Sequence, residues 1–308
     1  MSERARIVSG FAAISLIWGS TWLAIKIGLD SLPPLYAVSI RFTVAAAILL
    51  VILRVRRIPV PVDRRSVLLY LNLAVLSFSF PYALVYWSEQ YIPSALASIL
   101  FAAYPFVVAV GSHLFLPAER LNRYKIAGIA SGFLGVILIF WTDLQLEGAN
   151  TPGMVAILVS TLLQGSSLVL VKRAHPDINP NALTFGGMVA GLLILYPLAL
   201  IFESPGQVHL DAKGAGTIVY LGSFGTVVTF VIYYWLLKRV QAVYLSLVSL
   251  VTPVIAVILG ALWLNEALSP RVFFGAALVL CGIALANGGE IGVLVGGMKK
   301  KILSQSNE

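Results

Sequence analysis

Residues 7–28 read IVSGFAAISLIWGSTWLAIKIG, and this stretch indicates the fold class. It has one charged side chain, Lys26, in 22 positions. A helix of about 20 mostly apolar residues crosses the roughly 30 Å hydrocarbon layer of a bilayer. The stretch continues through Trp18 and Trp22 without the small-residue cleavage site of a signal peptide. We therefore interpret it as a retained transmembrane helix.

Nine more apolar runs of similar length follow, separated by short connections. Numbered in chain order, the ten predicted spans cover residues 7–28, 34–53, 67–88, 92–116, 124–142, 152–171, 181–202, 214–236, 242–264 and 271–289. The predicted fold class is an all-α integral membrane protein with ten transmembrane helices.

The composition of the 308 residues agrees with this fold class. Hydrophobic residues make up 59% of the chain and charged residues 11%, whereas ordinary soluble domains carry about 25% charged residues. Too little polar surface remains to cover a soluble particle, which excludes a soluble enzyme, a nucleic-acid-binding protein and a disordered chain. The single cysteine, Cys281, allows neither an intramolecular disulfide nor a cysteine-based metal site.

The basic residues predict how the spans are oriented. Of the 21 Lys and Arg residues, 17 fall in segments that alternate spans would place on one side of the membrane. Lys213 and Arg271 fall on the other side, and Lys26 and Arg41 fall inside spans. Cytoplasmic segments are rich in Lys and Arg, so both termini are predicted to be cytoplasmic. The net charge of +8 then faces anionic lipid headgroups and does not indicate a nucleic-acid partner.

The sequence repeats itself at an offset of about 147 residues. The matching pairs include Gly19 and Gly165, Lys26 and Lys172, Trp87 and Trp235, Pro105 and Pro253, and Glu119 and Glu266. The chain thus divides into an N-terminal five-helix repeat (residues 1–146), a C-terminal five-helix repeat (residues 147–290) and a cytoplasmic tail (residues 291–308). Because five is odd, the repeats are predicted to be inverted, as in secondary transporters that bind substrate near the midplane.

Some of these residues also carry a family resemblance. The sequence Trp18-Gly19-Ser20-Thr21 with Lys26, then Arg41, and the proline-containing spans that lead into Glu119 or Glu266 resemble the drug/metabolite transporter superfamily in its ten-span EamA-type form. The resemblance covers residues 7–289. It implies a helical bundle in a bacterial inner membrane that exports or exchanges small metabolites, often amino acids. The aromatic-rich third and fourth spans are most similar to those of aromatic amino-acid exporters.

Polar and aromatic side chains at bilayer depth are the candidates for a substrate site. Trp18 and Gln164 are equivalent in the repeat, and helical spacing places Tyr82 on one face of span 3 with two polar neighbours. The predicted substrate-binding residues are Trp18, Ser79, Tyr82, Tyr86, Ser98, Phe101, Tyr104 and Gln164. Structural roles are the alternatives: packing for Trp18, an interhelical hydrogen bond for Gln164, and the interfacial aromatic belt for Tyr86.

Pro105 and Pro253 lie inside spans 4 and 9. A proline in a helix removes a backbone hydrogen bond and bends the helix. Two bends at equivalent positions of the repeats suit hinges or gates, and static kinks are the alternative.

Other residues near span ends have structural explanations. Lys26 and Arg41 have stems long enough to snorkel to the membrane surface, with attraction of a substrate carboxylate as the alternative. Glu119 and Glu266 each precede a new helix and are predicted to cap it. Glycines in spans 5 and 10 permit close helix contacts, namely Gly128, Gly132, Gly135, Gly275 and Gly282.

No Asp or Glu lies in the middle of a predicted span, which disfavours proton coupling. The chain has no GxxxxGK[ST] motif and no clustered catalytic groups, so we expect no enzymatic activity and no cofactor. The prediction is an exporter, facilitator or exchanger of small amphipathic metabolites, above all aromatic and other neutral amino acids, acting as a monomer or homodimer. The alternatives are a lipid-linked sugar or nucleotide-sugar carrier on the same fold, and a non-transporting membrane scaffold or embedded enzyme.

Overall fold

The computed structural model describes residues 3–116, 123–145, 150–174, 177–240, 242–246, 248–266, 269–282 and 284–285. Within these ranges the regular secondary structure is helical, without strands. Glu119 and the tail at residues 291–308, for which the sequence makes predictions, lie outside the described residues.

The helices are named here in chain order. They are α1 (Glu3–Gly28), α2 (Pro34–Val55), α3 (Arg64–Ser88), α4 (Ser94–Phe115), α5 (Arg123–Gln145), α6 (Thr151–Ala174), α7 (Pro180–Phe202), α8 (Ala212–Leu237), α9 (Ala242–Ser246), α10 (Val248–Trp263) and α11 (Pro270–Gly282). In the described part of the chain, seven of them, α1–α4 and α6–α8, are long and apolar enough to cross a membrane.

These seven helices coincide with predicted spans 1–4 and 6–8. Predicted spans 5, 9 and 10 fall on shorter apolar helical stretches, Ile126–Ile139, Val251–Trp263 and Pro270–Gly282. The all-α, multi-pass membrane fold is therefore confirmed. A count of ten crossings and the inversion of the two halves stay predictions.

Short polar residues fix where several helices begin. The carboxylate of Asp63 accepts hydrogen bonds from the backbone N–H groups of the first turn of α3. Asn179 and Asp211 cap α7 and α8 in the same way. The first N–H groups of a helix have no partner within the helix, and these side-chain oxygens supply one.

Two long helices contain a wide π-helical turn at matching places. One covers Ala74–Ser79 in α3 and the other covers Ser223–Val228 in α8. In the second turn the Thr226 hydroxyl donates to the carbonyl of Leu221, five residues earlier, at 2.7 Å. Such turns free backbone carbonyls and often mark functional sites. Both of these turns lie in helices that line the cavity described below.

The main helix contacts run between the N-terminal and C-terminal halves of the chain. Helix α1 packs on α10 and α8, α2 packs on α7 and α8, and α3 packs on α6 and α7. Helix α4 packs on α6 and α10. The core is therefore the surface between the two halves.

Glycines bring α5 and α11 close together. A Cβ atom added at Gly135 would lie 2.5 Å from the carbonyl oxygen of Gly275, and one added at Gly282 would lie 2.5 Å from the carbonyl oxygen of Gly128. Only glycine permits so short an approach of the two backbones. The glycines of spans 5 and 10, which were predicted to permit close helix contacts, pack against each other within the chain.

Candidate functional site

A cavity lies between helices of both halves. Its walls come from α1, α3, α4, α6, α8, α9 and α10. The lining side chains are Trp18, Thr21, Trp22, Ile25, Ser77, Tyr82, Val85, Phe101, Tyr104, Gln164, Leu168, Phe230, Tyr233, Tyr234, Leu245, Ser246, Val248, Ser249 and Thr252. The centre of a water-sized sphere can occupy about 80 Å³ of this cavity, several times what one water molecule needs.

Aromatic rings form most of the cavity wall. The ring of Trp18 lies 5.3 Å from that of Tyr233 and 5.5 Å from that of Phe230, measured between centroids. Also in the wall, Phe101 stacks on Tyr104 with centroids 5.6 Å apart. Rings at these separations attract one another, and a further ring can contact the faces and edges that they leave open to the cavity. The wall is suited to a ligand with an aromatic or other flat apolar part.

A few polar groups interrupt the aromatic wall. The hydroxyls of Tyr104 and Tyr233 lie 2.7 Å apart and share a hydrogen bond between the two halves. The amide of Gln164 donates to the Ser160 hydroxyl at 3.2 Å. Ser249 also lines the cavity, although its hydroxyl donates to a carbonyl of its own chain segment. Apolar walls with few polar groups are typical of sites that bind small molecules.

The structure brings together five of the eight residues predicted to bind substrate: Trp18, Tyr82, Phe101, Tyr104 and Gln164 line one cavity. The other three do not line it. Ser79 donates to the Gly191 carbonyl at 3.0 Å and so joins α3 to α7. Ser98 donates to the Ala95 carbonyl of its own helix. Tyr86 is buried and bonded to Arg41.

Arg41 is buried inside the protein, with 1% of its surface exposed. Its guanidinium donates to the Thr226 hydroxyl at 2.9 Å, the Gly225 carbonyl at 3.1 Å and the Tyr86 hydroxyl at 3.3 Å. Its central carbon lies 4.9 Å from the centroid of the Tyr82 ring. No carboxylate in the described part of the chain pairs with it. The prediction that Arg41 snorkels to the membrane surface was wrong, because its polar partners all lie in the protein interior.

Lys26 and Lys172 make equivalent contacts in the two halves. Lys26 donates to the backbone carbonyls of Glu89 and Ile92 beyond the end of α3. Lys172 donates to the carbonyls of Leu237 and Val240 at the end of α8, at 2.6 and 2.7 Å. We call these the Lys26 contact and the Lys172 contact. Each ammonium satisfies carbonyls that a helix end leaves without a partner. Lys26 therefore does not snorkel to the surface in this structure.

The two prolines have different surroundings. Pro105 lies in the first turn of the second part of α4, just after a break at Ala102 and Ala103. Pro253 lies inside α10, next to Thr252, which lines the cavity. Both prolines thus lie in helices that form the cavity wall, and their role as hinges stays a prediction.

Glu266 caps a helix in the other half of the chain. Its carboxylate accepts hydrogen bonds from the Ser94 amide at 2.9 Å, the Ser94 hydroxyl at 3.0 Å and the Ala95 amide at 3.1 Å, at the start of α4. The prediction that it caps the helix that follows it was wrong. Glu203 likewise caps α2, and burial raises the pKa of its carboxyl against the lowering effect of the Leu35 and Tyr36 amides.

A second cavity adjoins the first at the Lys172 contact. It is lined by Val171, Lys172, Asp177, Ile178, Pro180, Leu183, Tyr234, Leu237 and Lys238. Tyr234 lines both cavities. The Tyr234 side chain therefore belongs to the walls of both cavities.

A family model and individual relatives match the chain along most of its length. The model of the EamA-like transporter family matches twice, over residues 6–141 and 151–288. The uncharacterized transporter YoaV of Bacillus subtilis is 28% identical over 90% of this chain and 95% of its own length. Protein PagO of Salmonella typhimurium is 31% identical over 89% of this chain and 90% of its own length.

The fold also matches a solved structure. A crystal structure superposes with a TM-score of 0.70, covering 92% of this chain and 97% of the other at 20% identity. At that identity the likeness shows the fold alone.

Sequence reasoning did not find several residues around the cavity. Trp22, Phe230 and Tyr234 line it. In the sequence alone, these residues cannot be distinguished from aromatic residues that face lipid. Glu89 follows the end of α3, where an acidic residue is usually exposed, yet it is buried. The repeat could have indicated the paired roles of Lys26 and Lys172, because their positions match.

Proposed function

We propose, on the premise that this chain belongs to the EamA-like transporter family, that it moves aromatic and other neutral amino acids across a bacterial inner membrane. The chain is a multi-pass membrane protein, and transport is the function that the family name and the name of the Bacillus subtilis relative share. The substrate, the membrane, the cytoplasmic position of both termini and the mechanism belong to the proposal.

The aromatic cavity is the observation that carries the proposal. An aromatic amino acid has a flat ring and a zwitterionic end. The ring matches the walls formed by Trp18, Phe101 and Tyr104, and the polar end matches the amide of Gln164 and the nearby hydroxyls. Arg41 lies behind Tyr82 and adds a positive potential that favours a carboxylate.

Alternating access between two inverted repeats is the proposed mechanism. Three observations support a duplicated architecture: the family model matches each half, the two lysine contacts are equivalent, and both halves have a π-helical turn at a matching place. Inverted units can exchange two similar packings, which opens a central cavity to one side and then the other.

A ligand screen distinguishes this proposal from a nucleotide-sugar carrier. We expect L-tryptophan and L-phenylalanine to stabilise the purified protein against heat, and L-lysine, L-aspartate and a uridine-diphosphate sugar to have no effect. A ligand at ten times its dissociation constant adds about 1.4 kcal/mol to the free energy of unfolding, which raises the melting temperature by roughly 3 °C. Differential scanning fluorimetry measures this shift. Stabilisation by the nucleotide sugar alone would contradict the proposal.

A further inference from the structure

Glu89 is a buried acid without a hydrogen-bond partner. It follows the last residue of α3, and none of its surface is exposed. Neither carboxyl oxygen has a hydrogen-bond partner among the described residues. An ionised carboxylate in such a place costs several kcal/mol unless a partner compensates for the lost water. The group must therefore be neutral in this packing or have a nearby charge that holds it.

Three ionisable side chains, Lys26, Arg41 and Glu266, act electrostatically on Glu89. Lys26 of α1 directs its ammonium to the backbone carbonyls of Glu89 and Ile92 and not to the carboxyl group. Arg41 of α2 is bonded to other residues. The Glu266 carboxyl group, which follows α10, accepts hydrogen bonds at the start of α4. None of the three is hydrogen-bonded to the Glu89 carboxyl.

The balance of these effects favours the neutral acid. Burial raises the pKa of Glu89 well above that of an ordinary glutamate; Lys26 and Arg41 lower the pKa and Glu266 raises it. Burial is the largest of these effects. The carboxyl oxygens make no hydrogen bond that would favour the charged form.

Glu89 lies at one end of the cavity only. Ile25 and Val85 line the cavity, and Lys26 and Glu89 come next along the same two helices. The equivalent position at the Lys172 contact is Leu237. The Lys172 contact forms with a leucine at this position, so the Lys26 contact does not require a glutamate there.

We propose that Glu89 is a proton-binding site that controls the opening of the cavity at the Lys26 contact. The protonated carboxyl group fits the closed packing. When the proton leaves for the water at that end, the closed packing cannot hold the resulting carboxylate, and the helix ends separate so that it reaches water or Lys26. The proton returns when the end closes. This inference rests on the proposed function only in taking the cavity as the transport path.

The direction in which pH changes the opening of the cavity follows from the pKa of Glu89 in the closed and open states. In the open state Glu89 meets water and has a pKa near about 4.3. In the closed state its pKa is raised, so acid favours the closed packing. Opening is therefore expected to increase as the pH rises above about 4.3.

A labelling experiment tests the gate without any substrate. In a Cys281→Ser background, Ile25→Cys places a thiol on the cavity wall, and a maleimide reports how often the cavity opens. The thiol itself reacts faster at high pH, so each rate is divided by that of the same protein carrying Glu89→Gln. We expect the ratio to rise several-fold from about pH 5 to about pH 8, because only the parent protein has a carboxyl group that loses its proton on opening.

Asp30→Asn is the matched control. Asp30 lies close to the same end of α1 but is exposed and paired with Lys213 at 2.8 Å. The labelling rate of the Asp30→Asn protein should have the same pH dependence as that of the parent protein. Equal pH dependence in the parent, in Glu89→Gln and in Asp30→Asn would overturn the proposal, as would a rate that follows sodium concentration and not pH.

Infrared difference spectra provide a second measurement that needs no introduced thiol. Between about pH 5 and about pH 8, the parent protein should lose the carbonyl band of a protonated, non-hydrogen-bonded carboxyl group. The band should be missing in Glu89→Gln and present in Asp30→Asn. Its absence from the parent protein would overturn the proposal. Neither measurement uses an amino acid, so both can succeed even if the proposed substrate is wrong.

Discussion

Arg41→Met is expected to lower tryptophan transport roughly 20-fold while leaving the protein folded. A carboxylate on the cavity side of Tyr82 would lie on the order of 9 Å from the guanidinium, since Arg41 lies 4.9 Å from that ring. At an effective dielectric constant of about 20, the attraction at this distance is about 2 kcal/mol, a factor of roughly 20 in binding.

Stability should change less than transport in Arg41→Met. The substitution removes three hydrogen bonds but also removes a buried charge that has no carboxylate partner among the described residues. Losing one side of a buried polar contact costs about 1–3 kcal/mol, and relief of the buried charge offsets part of this cost. The methionine side chain fills most of the space.

The control for this substitution is Arg54→Met. Arg54 lies on the same helix, in its last turn, and is exposed. Initial rates of labelled tryptophan exchange in proteoliposomes, with melting temperatures of the same preparations, give the comparison. Equal transport by the two variants would show that the buried guanidinium takes no part in substrate binding.

Trp18→Ala is expected to reduce transport more, by roughly 100-fold. The substitution removes one wall of the cavity together with the ring contacts to Phe230 and Tyr233. Loss of the aromatic pairing with a substrate ring costs about 1 kcal/mol, and the apolar area that the substrate no longer buries costs about 2 kcal/mol. These two losses together correspond to a factor of roughly 100 in binding.

Two further variants separate binding from folding. Trp18→Phe keeps an aromatic ring in the wall and should restore most of the transport, although it loses the hydrogen bond to the Gly225 carbonyl. Trp263→Ala removes a tryptophan that is 65% exposed and does not line the cavity, and this variant should transport like the parent protein. If Trp18→Ala kept full activity, the cavity would not be the substrate site.

Apolar length was enough to predict the membrane fold, because a span needs only composition and length to be recognised. The limits of the apolar spans also predicted that Trp18, Tyr82 and Gln164 lie at similar depths in the membrane. Depth does not say which way a side chain points. Ser79 and Tyr86 lie on the same helix as Tyr82, yet they contact Gly191 and Arg41 outside the cavity lining.

The charged residues show most clearly what the sequence alone cannot provide. The burial of Arg41 depends on Thr226 and Gly225, which lie 185 and 184 residues away in the chain. Glu266 caps a helix that begins 172 residues earlier. Contacts of this kind form only when the two halves pack together, and no local pattern of residues encodes them.

Tryptophan counterflow in proteoliposomes tests the central claim most directly. Vesicles that contain the protein are loaded with unlabelled L-tryptophan and placed in labelled L-tryptophan at the same pH on both sides. The account predicts a transient accumulation of label inside, which loading with L-lysine or a uridine-diphosphate sugar does not produce. Uptake no greater than in vesicles without protein, or counterflow driven by the nucleotide sugar alone, would contradict it.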